Sequence, residues 1–224
     1  MAALINFRPA DKPSLNAGEG RYRGLLGEAA WARLPEVVRR RFSRRLGRAE
    51  QIVYRGEVVA MELSRCGWLL AQAARLVGAP LPYTRDALGP CMVVVTEAEA
   101  LGGQLWCRSY ARDDWARGRA RLPQVIQSVK RFAGPTGIEE YLGMGLVMRL
   151  TLHEDRGQLV FRSAGYAFEV AGWRVELPGW LSPGHCTVSH RAETDARFSF
   201  TLSLDHPWLG RLVHQVAFFE EERA

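Results

Sequence analysis

The sequence lacks long apolar runs, has almost no lysine and carries no catalytic signature, and each absence removes a class of protein. Runs such as Met92 to Val95 and Val213 to Phe219 stop well short of the ~20 residues of a membrane-spanning helix, so no transmembrane helix is expected. The N-terminal stretch MAALINFRPADKPSLNAGEG has no basic segment followed by an apolar one, which argues against a signal peptide and for a cytoplasmic protein. Nucleophile elbows, Walker loops, dinucleotide fingerprints and H-E-x-x-H are missing, so no cofactor is expected. Gly143-Met144-Gly145 lacks the third glycine of a phosphate loop and reads as a bend.

Cysteine is sparse. Cys66, Cys91, Cys107 and Cys186 are widely spaced with no C-x-x-C pair, and their apolar contexts read as buried, reduced thiols. His185, Cys186 and His190 form the closest histidine cluster, but on a strand position 185 points away from 186 and 190. No metal site is expected.

What is present is a globular composition, 47% hydrophobic and 24% charged over 224 residues, enough chain to bury a sizeable core. The net charge of +6 comes from 28 arginines against 2 lysines. Its densest run, Arg39 to Arg48, falls on a helix whose Val37, Val38, Phe42 and Leu46 recur near helical spacing. The simple reading is a solvated basic face on a docked helix, without a nucleic-acid module.

Residues 1–20 read as a flexible arm and 21–224 as one domain. The stretch from Gly24 is two short helices or one broken at Pro35. Residues 49–63 form a strand in which the isolated Gly56 marks a bulge or a close backbone approach. Ser64 caps a following helix with the apolar stripe Trp68, Leu69, Ala73 and Leu76, a lid or plug over a sheet. From Cys91 the pattern changes to period two with frequent turns, as in Phe198, Phe200, Leu202 and Leu204 alternating with polar residues. The fold class is therefore α+β, a mainly antiparallel curved sheet or β-barrel of about ten strands with N-terminal helices packed against or plugging it. Two stretches break the rhythm. Arg112 to Pro123 is a charged connection expected as a flap at a barrel mouth, and Pro178 to Pro183 an extended excursion carrying Trp180.

Candidate chemistry lies on the strands. Trp106, Arg108 and Tyr110 share one face. If it is interior, an arginine between two rings suits a carboxylate, enolate or phosphate; if exterior, the arginine stem covers the rings. The alternate set Leu105, Cys107, Ser109 and Ala111 is equally compatible with burial. Glu139 and Glu140 sit in the otherwise apolar GIEEYLGMG. A buried member of the pair would have a raised pKa and act as acid or base, or would pair with Arg108, Arg149 or Arg162. Asp205 and His206 before Pro207 read as turn-capping residues.

The segments LLGEAAWARLPEVVRRRFS, VYRGE, LPYTRDALGPCMVVV, WCRSY, RGQLVF, ELPGWLSP and FSFTLSLDHPWLGRLVHQVAFF together resemble a bacterial domain family known only as a domain of unknown function, across roughly residues 24–219. In that family the domain is sometimes fused behind a Rossmann-type dehydrogenase-like or epimerase-like module. The resemblance implies no activity. The chain departs from the family pattern at His214, Gln215 and Val216, where a tyrosine and a glycine are usual, and at Thr187, Ser189 and His190, where an acid is usual.

Three readings follow. The leading one is a β-barrel cavity binding a largely hydrophobic small molecule with a polar or anionic end, through Trp106, Tyr110, Arg162, Met148, Trp180 and Phe200. The second is a cofactor-free cyclase or isomerase of a lipid-like or polyketide-like substrate in the same cavity, with Glu140 and Arg108 catalytic. The third is an interaction module docking through the basic helix. A homodimer is compatible with all three. A cavity containing Arg108 or Glu140 favours the first two, and a solidly packed sheet the third.

Overall fold

Gly27 and Pro35 cut the N-terminal apolar pattern into α1 (Gly18–Leu26), α2 (Glu28–Arg33) and α3 (Glu36–Ser43). Pro35 caps α3 with φ of −53°, and its ring presets the first turn. The computed structural model describes residues 18–222 apart from 45, 79, 86, 112, 115–118 and 121. Most of the expected arm, residues 1–17, therefore lies outside the described residues.

The strands are β1 (Gln51–Leu63), β2 (Gly89–Ala98), β3 (Gly103–Tyr110), β4 (Asp113–Asp114), β5 (Arg119–Ala120), β6 (Gln124–Arg131), β7 (Glu139–Gly143), β8 (Leu146–Asp155), β9 (Gln158–Val170), β10 (Trp173–Glu176), β11 (His185–Ala192), β12 (Arg197–His206) and β13 (Gly210–Glu221), with helix α4 (Arg65–Ala74) after β1. The sheet order is β10-β9-β11-β12-β13-β1-β2-β3-β6-β7-β8, and β8 pairs back onto β9. Ten antiparallel strands thus close into a barrel, with β10 hung on β9, and closure leaves the barrel no free edge. Of the charged connection Arg112 to Pro123, the two-residue strands β4 and β5 pair with each other; its centre, including Trp115, lies outside the described residues.

Gly56 behaves as its isolation in a strand suggests. A methyl group there would overlap the Phe218 carbonyl and the Phe219 ring, and the β1–β13 register slips two residues on, between Val58 and Ala60.

The barrel's ends differ. At one, α1–α3 insert Tyr22, Trp31, Leu34, Val38 and Phe42 among Leu159 and Phe161, with Tyr22 edge-on to Phe42 at 5.4 Å and to Phe132 at 4.8 Å. This is the plugged end. The basic run outlasts α3, and it is largely solvated as its sequence suggested: Arg40, Arg44 and Arg48 are exposed, Arg44 pairing with Glu221 and Arg48 with Glu99, while Arg41 turns in to lie 3.6 Å above the Phe198 ring.

At the other, lidded end α4 crosses the barrel, capped by the Ser64 hydroxyl accepting from the Gly67 N–H at 3.0 Å. Of the expected stripe Ala73 lines the cavity, but its large members are turned outward. α4 turns the small residues Gly67 and Ala71 inward, while Trp68, Leu69 and Leu76 are 39%, 61% and 82% exposed. The reason is contact distance: a methyl on Gly67 would overlap the Leu212 carbonyl of β13, so only small residues fit between helix and strand. Cys66, expected to be buried, is exposed and lines the cavity, whereas Cys91 and Cys186 are buried and all four thiols are free.

Candidate functional site

The register of β3 decides the interior. Trp106 sits between Val95 of β2 and Ser128 of β6 and is 8% exposed, so Trp106, Arg108 and Tyr110 face inward. By alternation β6 directs Ile126, Ser128 and Lys130 the same way, and β7 adds Glu140, paired with Lys130.

Between these residues and the lid is a cavity of about 400 Å³, within the range of small-molecule sites. Its walls are apolar: Leu70 and Ala74 of α4, Met148, Phe200 and Leu204 of the barrel, and Leu177 and Pro183 of the β10–β11 connection. Its polar lining is chiefly Arg108, Glu140, Tyr110, Tyr166 and Gln215. Arg108 donates to the Ser128 hydroxyl at 3.0 Å, which donates to Glu140 Oε1 at 2.5 Å. Arg108 Nη2 lies 3.6 Å from the same carboxylate oxygen. Behind them Lys130 Nζ lies 4.0 Å above the Phe161 ring and 5.1 Å above Trp106.

Burial alone would raise the Glu140 pKa, but Lys130, Arg108 and the Ser128 hydroxyl outweigh it and hold the carboxyl below its ordinary range. Of the two expectations for this carboxylate, a raised acid or a partner of Arg108, the direction of the shift and the contact with Arg108 match the second. Burial lowers Lys130, with Glu140 opposing and Arg108 assisting. Burial pushes the Tyr110 phenol and the Cys186 thiol each up to about 12, so both are neutral donors at ordinary pH.

Gln215 completes the set. It is 1% exposed, its Oε1 accepts from the Tyr110 hydroxyl at 3.4 Å, and its buried Nε2 has no hydrogen-bond partner among the described residues. An orphaned buried donor costs about 1–3 kcal/mol, and this one lines the cavity.

Of the residues singled out in the sequence, Arg108, Glu140, Tyr110, Met148 and Phe200 line the cavity. Trp106 stands behind Arg108, whose guanidinium carbon is 6.0 Å from the ring centroid. Trp180 is 68% exposed at the rim. Arg162 does not join them: Leu159 and Phe161 take the inward positions of β9, so Arg162 projects outward, exposed. Glu139 also faces away, bridged to Arg131 at 2.5 Å and Arg174 at 2.9 Å, while Arg149 pairs with Glu176 at 3.1 Å. Gln215, which the sequence marked only as a departure from the family pattern, and Tyr166 join the lining, and Lys130 stands behind it, where the alternation through Ile126 and Ser128 already points it inward.

His190 fills the space below Trp106. Five aromatic rings surround it, Phe42, Trp106, Phe161, Phe198 and Phe200. Burial first, then Lys130, Arg41 and Arg108, hold it well below its ordinary pKa. His185 is exposed, and among the described residues no three metal-ligating side chains cluster. His206 caps its turn, Nδ1 accepting from the Trp208 and Leu209 N–H groups at 3.2 and 3.3 Å.

A family model described as a domain of unknown function (DUF4166) matches residues 34–219. No curated protein and no solved structure matches the chain.

Proposed function

The chain belongs to the DUF4166 family, and we propose that this member binds a largely hydrophobic small molecule whose polar or anionic end lies against Arg108 and Gln215. The observation that carries this reading is the apolar cavity of about 400 Å³ with those two donors in its lining. Arg108 is a cationic side chain of that lining, and an anionic head would meet it there in a charge-assisted hydrogen bond. The amide of Gln215 offers it a further hydrogen bond. Glu140, held ionised, serves as the counter-ion that orients Arg108 and is poorly suited to act as a general acid.

Native mass spectrometry of the protein purified from cells tests this directly. The expected result is a bound species of lipid-like mass, identified after denaturation and displaced by a fluorescent fatty-acid probe. Arg108→Met is expected to weaken that probe roughly 10- to 100-fold, the scale of losing a hydrogen bond to a charged group. A protein that is empty and shows no saturable probe binding would overturn the reading. Affinity retained in Glu140→Gln while a substrate is no longer turned over would point instead to an enzyme.

A further inference from the structure

The lidded end carries an apolar surface that the barrel does not use for its own packing. Trp68, Leu69, Leu76, Trp180, Trp208 and Leu209 are 39%, 61%, 82%, 68%, 77% and 54% exposed. They come from three separate segments, α4 with the turn after it, the β10–β11 connection and the β12–β13 turn, which lie at the same end because β1 and β12 finish there and β11 and β13 begin there, and each segment also sends a residue into the cavity lining, Leu70, Leu181 and Leu209. Exposed apolar groups gathered on one face mark a site of contact with a partner or a membrane.

Two observations say which. First, the patch runs into the cavity: Leu209 is half exposed at the rim and also lines the interior, as does Leu181 at 53% exposure. An apolar ligand can pass from that surface to the cavity without crossing water, whereas a second copy docked there would seal the mouth. Second, the α4 part of the patch is basic, while the acids of the other two segments are already paired, Glu176 with Arg149 and Arg174 and Asp205 with Arg211. Between Glu62 and Glu97 the sequence has three arginines, Arg65, Arg75 and Arg85, and a single acid, Asp86. All three arginines are exposed, and Arg65 and Arg85 flank an open cleft with Trp68 and Leu69. Tryptophan and leucine beside arginine is the composition of segments that settle at the headgroup level of an anionic bilayer.

We propose that the lidded end docks on an anionic lipid surface, with α4 lying in the interface, and that the cavity exchanges its ligand with that bilayer. This deepens the cavity reading and rests on it for the identity of the cargo, but docking has its own readout. The full chain is sedimented with vesicles of phosphatidylcholine alone and with phosphatidylcholine containing one-third phosphatidylglycerol. The wild type is expected in the pellet with the mixed vesicles and largely in the supernatant with the neutral ones. Trp180→Glu/Trp208→Glu is expected to lose at least tenfold in partitioning, and Arg65→Gln/Arg85→Gln several-fold on mixed vesicles only, circular dichroism confirming that each variant is folded.

Wild type remaining in the supernatant with mixed vesicles, or folded tryptophan variants that sediment as well as wild type, would overturn the proposal. A dimer in solution that the tryptophan variants dissociate, with no vesicle binding, would replace it with a second copy as occupant. Sedimentation of a protein that native mass spectrometry finds empty would overturn the cavity reading and leave docking in place; a loaded protein that never sediments would do the reverse.

Discussion

At the plugged end the large apolar side chains are inside: Trp31 is 4% exposed, Leu34 2% and Phe42 5%, and the surface above them is tied by pairs such as Arg33–Glu154 and Arg48–Glu99. At the lidded end the order is reversed, with Gly67 and Ala71 inside and Trp68, Leu69 and Trp208 outside. The same residue types therefore do opposite work within one barrel. Where they are buried they stabilise the fold, at about 25 cal/mol per Å² removed from water. Where they are exposed they contribute almost nothing to folding, and the space they leave inside is the cavity. The difference teaches that stability and the proposed binding are assigned to opposite ends, so each can be perturbed with limited effect on the other.

The strongest way to break that comparison is at the plug. Phe42 touches Tyr22, Phe161 and His190, and Phe42→Ala is expected to cost about 3–5 kcal/mol, the usual loss for a large aromatic removed from a core. Urea denaturation measures it. A loss under about 1 kcal/mol would mean that the helices are not integral to the barrel.

How much of this was legible in the sequence depends on whether one face of an element is plainly apolar. β12 was readable because Phe198, Phe200, Leu202 and Leu204 alternate with polar residues, and the barrel class followed from such strands. β3 was not, since Trp106, Arg108 and Tyr110 compete with Leu105 and Cys107 on the opposite face, and only pairing with Val95 and Ser128 decides between them. Periodicity located the stripe on α4 but not its direction, because that depends on how closely Leu212 approaches Gly67. Arg162 was misplaced because β9 is apolar at Leu159, Val160 and Phe161 in succession, which hides the phase of the alternation. Lys130 is legible by the same alternation, since Ile126, Ser128 and Lys130 share one face of β6.

The next effect sharpens the comparison at the lid. Alanine for glycine in a helix interior gains up to about 1 kcal/mol from propensity, but at Gly67 the added methyl meets the Leu212 carbonyl, and overpacking costs about 1–3 kcal/mol. Gly67→Ala is expected to be destabilising on balance and to lift α4, so that a probe bound in the cavity leaves several-fold faster in a stopped-flow displacement. A faster release with the plug undisturbed would confirm that the ends are separable; an unchanged release rate would show that α4 is not the gate.

Between the ends lies His190, whose response to pH is smaller. Its folded pKa is depressed well below the ordinary value, so the unfolded chain binds the extra proton first, and stability is lost as pH falls below about 6.5. Each pH unit costs at most about 1.4 kcal/mol, so the wild type is expected to lose up to about 2 kcal/mol between pH 6.5 and 5 that His190→Leu does not. Glu140 does not obscure this window. Its pKa is also depressed, so its contribution is kept until pH falls under about 4. Parallel urea titrations of both proteins at several pH values give the two slopes; equal slopes would show that His190 is not held neutral.

The smallest expected effect on stability is the most informative about the lidded end. Trp208 is 77% exposed, and among the described residues its one ring contact is His206 at 5.6 Å, whose capping bonds are made to backbone N–H groups and survive removal of the indole. Trp208→Ala is therefore expected to change stability by no more than about 0.5 kcal/mol. The same substitution removes one of the largest apolar side chains of the proposed lipid-facing surface, so its partitioning onto mixed vesicles should fall several-fold. If denaturation instead showed a loss of 2 kcal/mol or more, Trp208 would be packed in solution against something that covers it. The lidded end would then resemble the plugged one, and the contrast between them would disappear.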